Sequence, residues 1–94
     1  ALFFLSYDLR NGRDYQKITN KLEEFNAVRI LESCWCFKRV DTTAQGLRDY
    51  FKQFVDGDDG LIVSQIAEIN GVPQWASWNA LGTPNDLKNG KLIM

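Results

Sequence analysis

The sequence predicts an α+β domain in which two helices pack on a sheet of four or five strands. Its 94 residues suit a single domain. Two segments carry the three- and four-residue apolar spacing of a helix, and the stretches around them are rich in aliphatic and aromatic residues, as strands are. The predicted order is strand, helix, strand, strand, helix, strand, followed by an added hairpin strand.

The first strand and the first helix follow each other at the start of the chain. The run Leu2–Asp8 is aliphatic and aromatic and ends on a charge, which predicts a strand. The pair Asn11-Gly12 is a turn signal in the loop that follows. Helical spacing then predicts a helix over Asp14–Asn26, whose apolar stripe comprises Tyr15, Ile18, Leu22 and Phe25.

The middle of the chain leaves two interpretations open. The run Val28–Val40 is longer than an average strand, so it forms either two strands with a break near Glu32-Ser33 or one long bent strand. A second helix is predicted to begin after Asp41 and to run to about Val55. Thr42 and Gln45 fit a capping box at its start.

A hairpin is predicted to close the domain. Leu61–Ile69 reads as a strand, Asn70-Gly71 as a two-residue hairpin turn, and Val72–Trp78 as the returning strand. Pro73 lies within that last strand and cannot donate a ladder hydrogen bond. We therefore expect this strand at the edge of a sheet.

The order of these elements is that of the ferredoxin-like split βαβ sandwich, βαββαβ with an added C-terminal hairpin strand. We expect residues 1–81 to form this single domain and residues 82–94 to form a C-terminal extension. Its last residues, Lys91–Met94, either add a strand to a partner's sheet or fray. Two helices cover one face of the sheet, yet both faces carry apolar residues. The sequence therefore predicts a homodimer through the open sheet face.

Composition excludes several classes of function. The chain has 11 basic and 12 acidic residues, so it has no strong positive field for nucleic acid. It has no histidine, which excludes His-based catalysis and His-ligated zinc. Cys34 and Cys36 point to the same face of a strand, and we expect both to be reduced. The sequence has no apolar run of ~18 residues, so we expect no membrane span and a cytoplasmic location.

Asp8 is the first candidate for chemistry. It ends the first strand beside a polar loop, where a carboxylate can hold a divalent ion or orient a water molecule. One carboxylate makes a poor metal site, whereas two related by a dimer axis make a better one. The alternative interpretation is a solvated loop aspartate or a helix cap.

The residues around Asp8 resemble those of a known family. Ser6-Tyr7-Asp8-Leu9, then a loop, a helix, Arg29 and a strand containing Ser33 are similar to the CRISPR spacer-acquisition nucleases (the Cas-two superfamily), and especially to its SinR-like and VapD-like relatives. The resemblance implies a ferredoxin-like homodimer with one Asp8 from each protomer at the axis. It implies either a Mg²⁺- or Mn²⁺-dependent ribonuclease or deoxyribonuclease, or a structural role without catalysis. This chain departs from the family after Ser33, where it has Cys34, Trp35 and Cys36.

Several polar residues near Asp8 are candidates for binding substrate. Arg10 and Arg13 flank the turn, and Lys17 and Lys21 continue along one face of the helix, so that together they would form a phosphate-binding rim. A solvated helix face is the alternative. The predicted substrate-binding set is Tyr7, Arg10, Asn11, Arg13 and Ser33, and Asp8 is both the catalytic and the metal-ligating residue.

The tryptophans and the acidic loop have structural interpretations that we favour. Trp75 and Trp78 would stack on bases if exposed, but a place in the core or the dimer interface is the commoner role for such residues. Trp35 and Phe37 are interpreted in the same way. The loop Asp56–Gly60 fails the spacing of a calcium-binding loop and reads as a turn.

Two hypotheses for function remain. One is a homodimer that binds nucleic acid or nucleotides, with metal-dependent phosphodiesterase or ribonuclease activity through Asp8. The other is a homodimeric binding module without catalysis or cofactor, for a protein partner or a small nucleotide ligand. The near-neutral charge and the lack of histidine favour the second slightly.

Overall fold

The computed structural model describes residues 1–10 and 15–87. Short turns join two helices and six strands, because Gly and Asn supply the backbone conformations that tight turns need. The elements are β1 (Leu2–Asp8), α1 (Gln16–Glu24), β2 (Val28–Leu31), β3 (Cys34–Lys38), α2 (Ala44–Phe51), β4 (Gly60–Gln65), β5 (Glu68–Ile69) and β6 (Val72–Pro73), with 3₁₀ turns at Lys52–Phe54 and Pro84–Asp86.

Four strands form an antiparallel sheet in the order β2-β3-β1-β4. In register, Leu5 of β1 lies between Trp35 of β3 and Val63 of β4. The strands β5 and β6 form a separate two-stranded sheet. The predicted α+β class, with a sheet and two helices, is therefore confirmed.

One face of the sheet packs against both helices. Alternation along β1 sends Phe3, Leu5 and Tyr7 to this face, where each is at most 5% exposed. The helices add the other buried members of this core, with Phe37 of β3 between them: Ile18, Leu22, Phe25, Leu47 and Phe51. Aromatic rings dominate the centre of this core. The centroid of the Phe25 ring lies 5.2 Å from that of Phe37 and 4.9 Å from that of Phe51. This core fixes the position of α1 over β1.

The opposite face is partly covered by the chain itself. Leu2, Ile30 and Cys36 are buried there beneath the segment that follows β6, which contributes Trp75, Ala80 and Leu87. The Leu81 N–H donates to the Ile30 carbonyl at 2.8 Å, so this segment also pairs with the outer edge of β2. The sequence predicted that a second copy would cover this face. The segment covers only part of it, and Ile62 of β4 remains 65% exposed.

Several predicted boundaries are wrong. The cap of α2 is Thr43, whose hydroxyl accepts from the Gly46 N–H at 3.0 Å, and not Thr42. The predicted strand Leu61–Ile69 divides after Gln65, where the Ile66 N–H bonds to Leu2. The predicted strand Val72–Trp78 ends at Pro73, because the following residues turn back over the sheet instead of continuing the hairpin.

Other boundaries follow the sequence closely. The run Val28–Val40 forms two strands with a turn at Glu32-Ser33, the first of the two interpretations. Asn70 and Gly71 have φ values of 52° and 77°, the positive values that a tight two-residue hairpin turn requires. The first helix is shorter than predicted and begins at Gln16, while Asp14 lies outside the described residues.

Candidate functional site

Several chain segments meet at the end of the sheet where β1 terminates. Asp8 lies opposite Gly60, the first residue of β4. The Tyr7 N–H donates to the carbonyl of Ser33, in the turn between β2 and β3, at 3.0 Å. The tyrosine before α1 contacts this end as well, since the Tyr7 and Tyr15 rings lie 5.8 Å apart. The predicted candidates Tyr7, Asp8 and Ser33 therefore lie where four segments meet: the end of β1, the start of β4, the turn after β2 and the start of α1.

Asp8 lies on the face of the sheet opposite to the helices, because strand alternation separates it from Tyr7. Its side chain is 72% exposed, and one carboxylate oxygen accepts from Nε of Arg10 at 3.3 Å. Gly60 lies beside it without a side chain. The carboxylate is thus open to solvent and is partly neutralised by one guanidinium.

Arg10 is held in place from both sides of the loop before β4. Its backbone N–H donates to Oδ1 of Asp59 at 2.8 Å, and the Nη1 of its side chain donates to the Asp58 carbonyl at 3.0 Å. A Cβ on Gly60 would lie 2.9 Å from Nη2 of Arg10, so a side chain at this position would displace the guanidinium. Arg10 therefore links the acidic loop to Asp8 rather than extending freely toward a phosphate.

A cavity of about 400 Å³ opens on the helix side of the same sheet end. This volume lies within the range of ~300–1,000 Å³ typical of small-molecule sites. The lining combines aromatic, amide, hydroxyl and charged groups and consists of Tyr7, Tyr15, Gln16, Thr19, Arg29 and Glu32. Tyr15, predicted to be part of the buried apolar stripe of the first helix, is 48% exposed at this cavity.

Arg29 and Glu32 bring opposite charges to this cavity. The Arg29 guanidinium lies over the Trp35 ring, 4.7 Å from its centroid, which restricts the orientation of the cation. Within residues 1–10 and 15–87, Arg29 and Glu32 form no ion pair with each other. The cavity therefore offers a hydrogen-bond donor and an acceptor of full charge that do not neutralise each other directly.

The structure brings together only part of the predicted site. Asp8 and Arg10 are in contact, whereas the Tyr7 ring packs on the other face and Ser33 contributes a backbone carbonyl. Asn11 and Arg13 lie outside the described residues. Lys21 of the predicted phosphate rim instead pairs with Glu24 at 3.0 Å, and this bond raises the pKa of the lysine.

Sequence reasoning missed the cavity itself. Tyr15 was assigned to the buried stripe, and Arg29 and Glu32 were strand and turn residues with no predicted role in binding. They belong to separate segments, which only the packing of α1 beside the turn between β2 and β3 brings together. The spacing of Arg29 and Glu32 on either side of a strand end was the available signal, but it was too weak to use alone.

The other aromatic and sulfur-bearing candidates have mixed outcomes. Trp35 and Phe37 are core residues, as predicted. Trp75 packs on the sheet, but Trp78 is 85% exposed, which contradicts a core position. Cys34 and Cys36 are free thiols, and burial raises the pKa of Cys36 to about 12, so its thiol is protonated at neutral pH.

The described residues contain no group of three or more acidic, cysteine or histidine side chains arranged for a metal ion. Within the described residues, the predicted metal ligand Asp8 already binds Arg10. Mg²⁺ usually binds through one or two carboxylates and keeps several waters, so the other ligands of an ion at Asp8 would be water, a substrate phosphate or a second protomer.

No family model matches the chain. No solved structure matches it either. Neither helix in the described part of the chain has the length and the apolar character needed to cross a membrane.

Proposed function

We propose that this chain is a nucleotide- or nucleic-acid-binding protein that acts as a homodimer and is a divergent relative of the Cas-two superfamily. The observation that supports binding most directly is the cavity that combines Tyr7 and Tyr15 with the charges of Arg29 and Glu32. A nucleotide has a planar base, hydrogen-bonding edges and an anionic phosphate. Each of these features has a complementary group in the cavity.

The order of the strands supports a ferredoxin-like fold within this proposal. The sheet read from its other edge is β4-β1-β3-β2, fully antiparallel, with both helices on one face. This is the topology of the split βαβ arrangement. The Cas-two superfamily has the same fold, which adds support to the resemblance around Ser6-Tyr7-Asp8-Leu9.

Two features support binding by stacking and by charge. Tyr15 is 48% exposed, and an exposed aromatic ring stacks on bases of any type, at ~1–3 kcal/mol per base. Arg29 is pre-oriented by its contact with Trp35, and a guanidinium can bind a phosphate through two hydrogen bonds. A single such cation gives modest affinity that decreases with salt.

The test measures binding of the four 5′-mononucleotides and of a short single-stranded RNA at low and at moderate salt. We expect both to bind, and we expect Arg29→Gln to weaken binding at least fivefold because the phosphate loses its cation. Arg48→Gln is the matched control, since Arg48 lies on α2, pairs with Asp49 and does not line the cavity. Absence of binding by the wild type at low salt, or equal losses in the two variants, would reject the proposal.

Metal-dependent phosphodiester cleavage is the second candidate, and the exposure of the Asp8 carboxylate favours it. In a dimer that brings two Asp8 side chains to one axis, the pair would supply two oxygen ligands for Mg²⁺ or Mn²⁺, and the metal would activate water. The contact with Arg10 acts against this role, so we place it after binding. Asp8→Asn should abolish cleavage of single-stranded RNA that Mn²⁺ stimulates, while the control Asp49→Asn should retain it.

A further inference from the structure

We propose that the cavity selects guanine over the other bases and that Glu32 is the residue that determines this specificity. This inference rests on the proposed function, because it assumes that a nucleotide occupies the cavity. Among the residues that line the cavity, the acceptor with a full negative charge is Glu32, in the turn between β2 and β3. An ionised carboxylate only accepts hydrogen bonds.

The edges of the four bases differ in what they offer to a carboxylate. Guanine presents two adjacent donors, N1–H and the N2 amino group, which match the two oxygens of one carboxylate. Adenine places an amino donor beside the N1 acceptor, and uracil places its N3–H between two carbonyl acceptors. Cytosine has one amino donor beside an acceptor, so it forms one bond where guanine forms two.

The rest of the lining orients such a base. Tyr15 is half exposed, and its ring is tilted by 51° from the ring of the buried Tyr7. Part of the Tyr15 ring is therefore open to solvent and can stack on a base. The Arg29 guanidinium only donates hydrogen bonds, so it does not compete with Glu32 for the donors of the base, and it remains available for the phosphate. Thr19 adds little selectivity, because its hydroxyl already donates to the Tyr15 and Gln16 carbonyls.

The absence of an ion pair between Arg29 and Glu32 strengthens the case. An ion pair between the two side chains would occupy the groups that bind the ligand, since a guanidinium and a carboxylate form strong paired hydrogen bonds. Here the Arg29 guanidinium stacks on the Trp35 ring instead, and no ion pair joins it to Glu32 among the described residues. The carboxylate is therefore available to a ligand without first breaking an internal salt bridge.

The deciding experiment titrates GMP, AMP, CMP and UMP separately into the full chain by isothermal titration calorimetry, with wild type, Glu32→Gln and Glu23→Gln. Glu23 is an exposed glutamate on α1 outside the cavity lining, so Glu23→Gln loses the same charge elsewhere. We expect GMP to bind the wild type about tenfold more tightly than AMP, the scale of one bidentate base contact. We expect Glu32→Gln to reduce this preference to within about twofold and Glu23→Gln to retain it.

A second titration distinguishes a free mononucleotide from a base within an RNA strand. It uses short single-stranded RNAs that carry one central G, A, C or U. Preference for the G-containing strand together with GMP indicates recognition of the base in either context. Equal binding of all four mononucleotides, or a preference for GMP that survives in Glu32→Gln, overturns the specificity and leaves nucleotide binding intact. Failure of every nucleotide and RNA to bind the wild type rejects the proposed function itself.

Discussion

The Arg10 guanidinium partly neutralises the negative charge that the Asp8 carboxylate exposes to solvent. The two side chains bond at 3.3 Å, and Arg10 is itself held by Asp59 and the Asp58 carbonyl. An exposed pair of this kind contributes little to stability. Its effect is instead on what the carboxylate can bind, because a metal ion at Asp8 has to compete with a guanidinium that the acidic loop keeps in place.

Cys36 provides a prediction about pH at the same scale. Burial raises the pKa of this thiol from 9.0 to about 12, so the folded protein holds the thiol proton more tightly than the unfolded chain does. The stability that this provides is complete below about pH 9 and is lost as the pH rises toward about 12. Urea unfolding at pH 8 and pH 10.5 should show a larger decrease in the free energy of unfolding for wild type than for Cys36→Ala.

Cys34→Ala is the control for this measurement, since Cys34 is only partly buried. It should keep most of the pH dependence of the wild type, because burial is the larger cause of the raised Cys36 pKa and only the smaller effect of Cys34 is lost. Equal decreases in wild type and Cys36→Ala would show that ionisation of this thiol does not contribute to the loss of stability.

At the residue scale the sequence predicted the position of Asp8 but not its surroundings. Alternation along β1 is enough to separate Tyr7 and Asp8 onto opposite faces, because the period of a strand is fixed. The partners of each residue depend on tertiary packing. Asp8 binds Arg10, which in turn binds Asp59, 49 residues further along the chain, and the Tyr7 ring contacts Tyr15 just before α1. No local pattern encodes those contacts.

Among the elements, the segment after β6 was the least predictable. The sequence predicts a strand as far as Trp78, but the chain leaves the hairpin after Pro73, and Trp75 and Leu87 pack on the sheet. The 3₁₀ turn Pro84–Asp86 fixes its end through a capping box, in which the Thr83 N–H donates to Oδ2 of Asp86 at 2.9 Å. The path of such a segment depends on the surface that it packs against, so it cannot be predicted before the structure of the sheet is known.

Gly82 makes the docking of this segment testable. A Cβ at this position would lie 2.8 Å from the Arg29 carbonyl oxygen and 2.9 Å from Cγ1 of Val28. Gly82→Ala should therefore lower the free energy of unfolding by ~1–3 kcal/mol, as the segment shifts away from β2. Urea unfolding followed by tryptophan fluorescence measures this change.

Gly57→Ala is the matched control, because a Cβ at Gly57 would meet nothing within 4 Å. We expect its effect to stay within ~0.5 kcal/mol of wild type. Similar stabilities for the two alanine variants would mean that the segment does not pack tightly on β2.

At the scale of the whole molecule, the proposed dimer uses the part of the sheet that the chain leaves open. Ile62 is 65% exposed on the face opposite to the helices, beside Asp8 along the same sheet end. Ile62→Lys should convert a dimer to a monomer, since a second copy would have to bury the added charge. Sedimentation velocity at tens of micromolar protein reports the change.

Ile69→Lys is the control for the dimer, because Ile69 is similarly exposed (60%) but lies on the separate hairpin. We expect it to leave the dimer intact. A monomeric wild type, or dimers of equal strength in both variants, would contradict the proposed interface.

The hydrogen bond from Leu81 to Ile30 has a consequence for solubility. A sheet with two open edges can recruit one chain on each side and grow into a fibre, whereas a sheet with one open edge can pair once and then stop. Here the chain's own segment begins to close the β2 edge, and within the described residues β4 pairs with β1 alone. In the four-stranded sheet, strand addition between copies would therefore use the β4 edge, and this would favour a pair of molecules over a growing fibre.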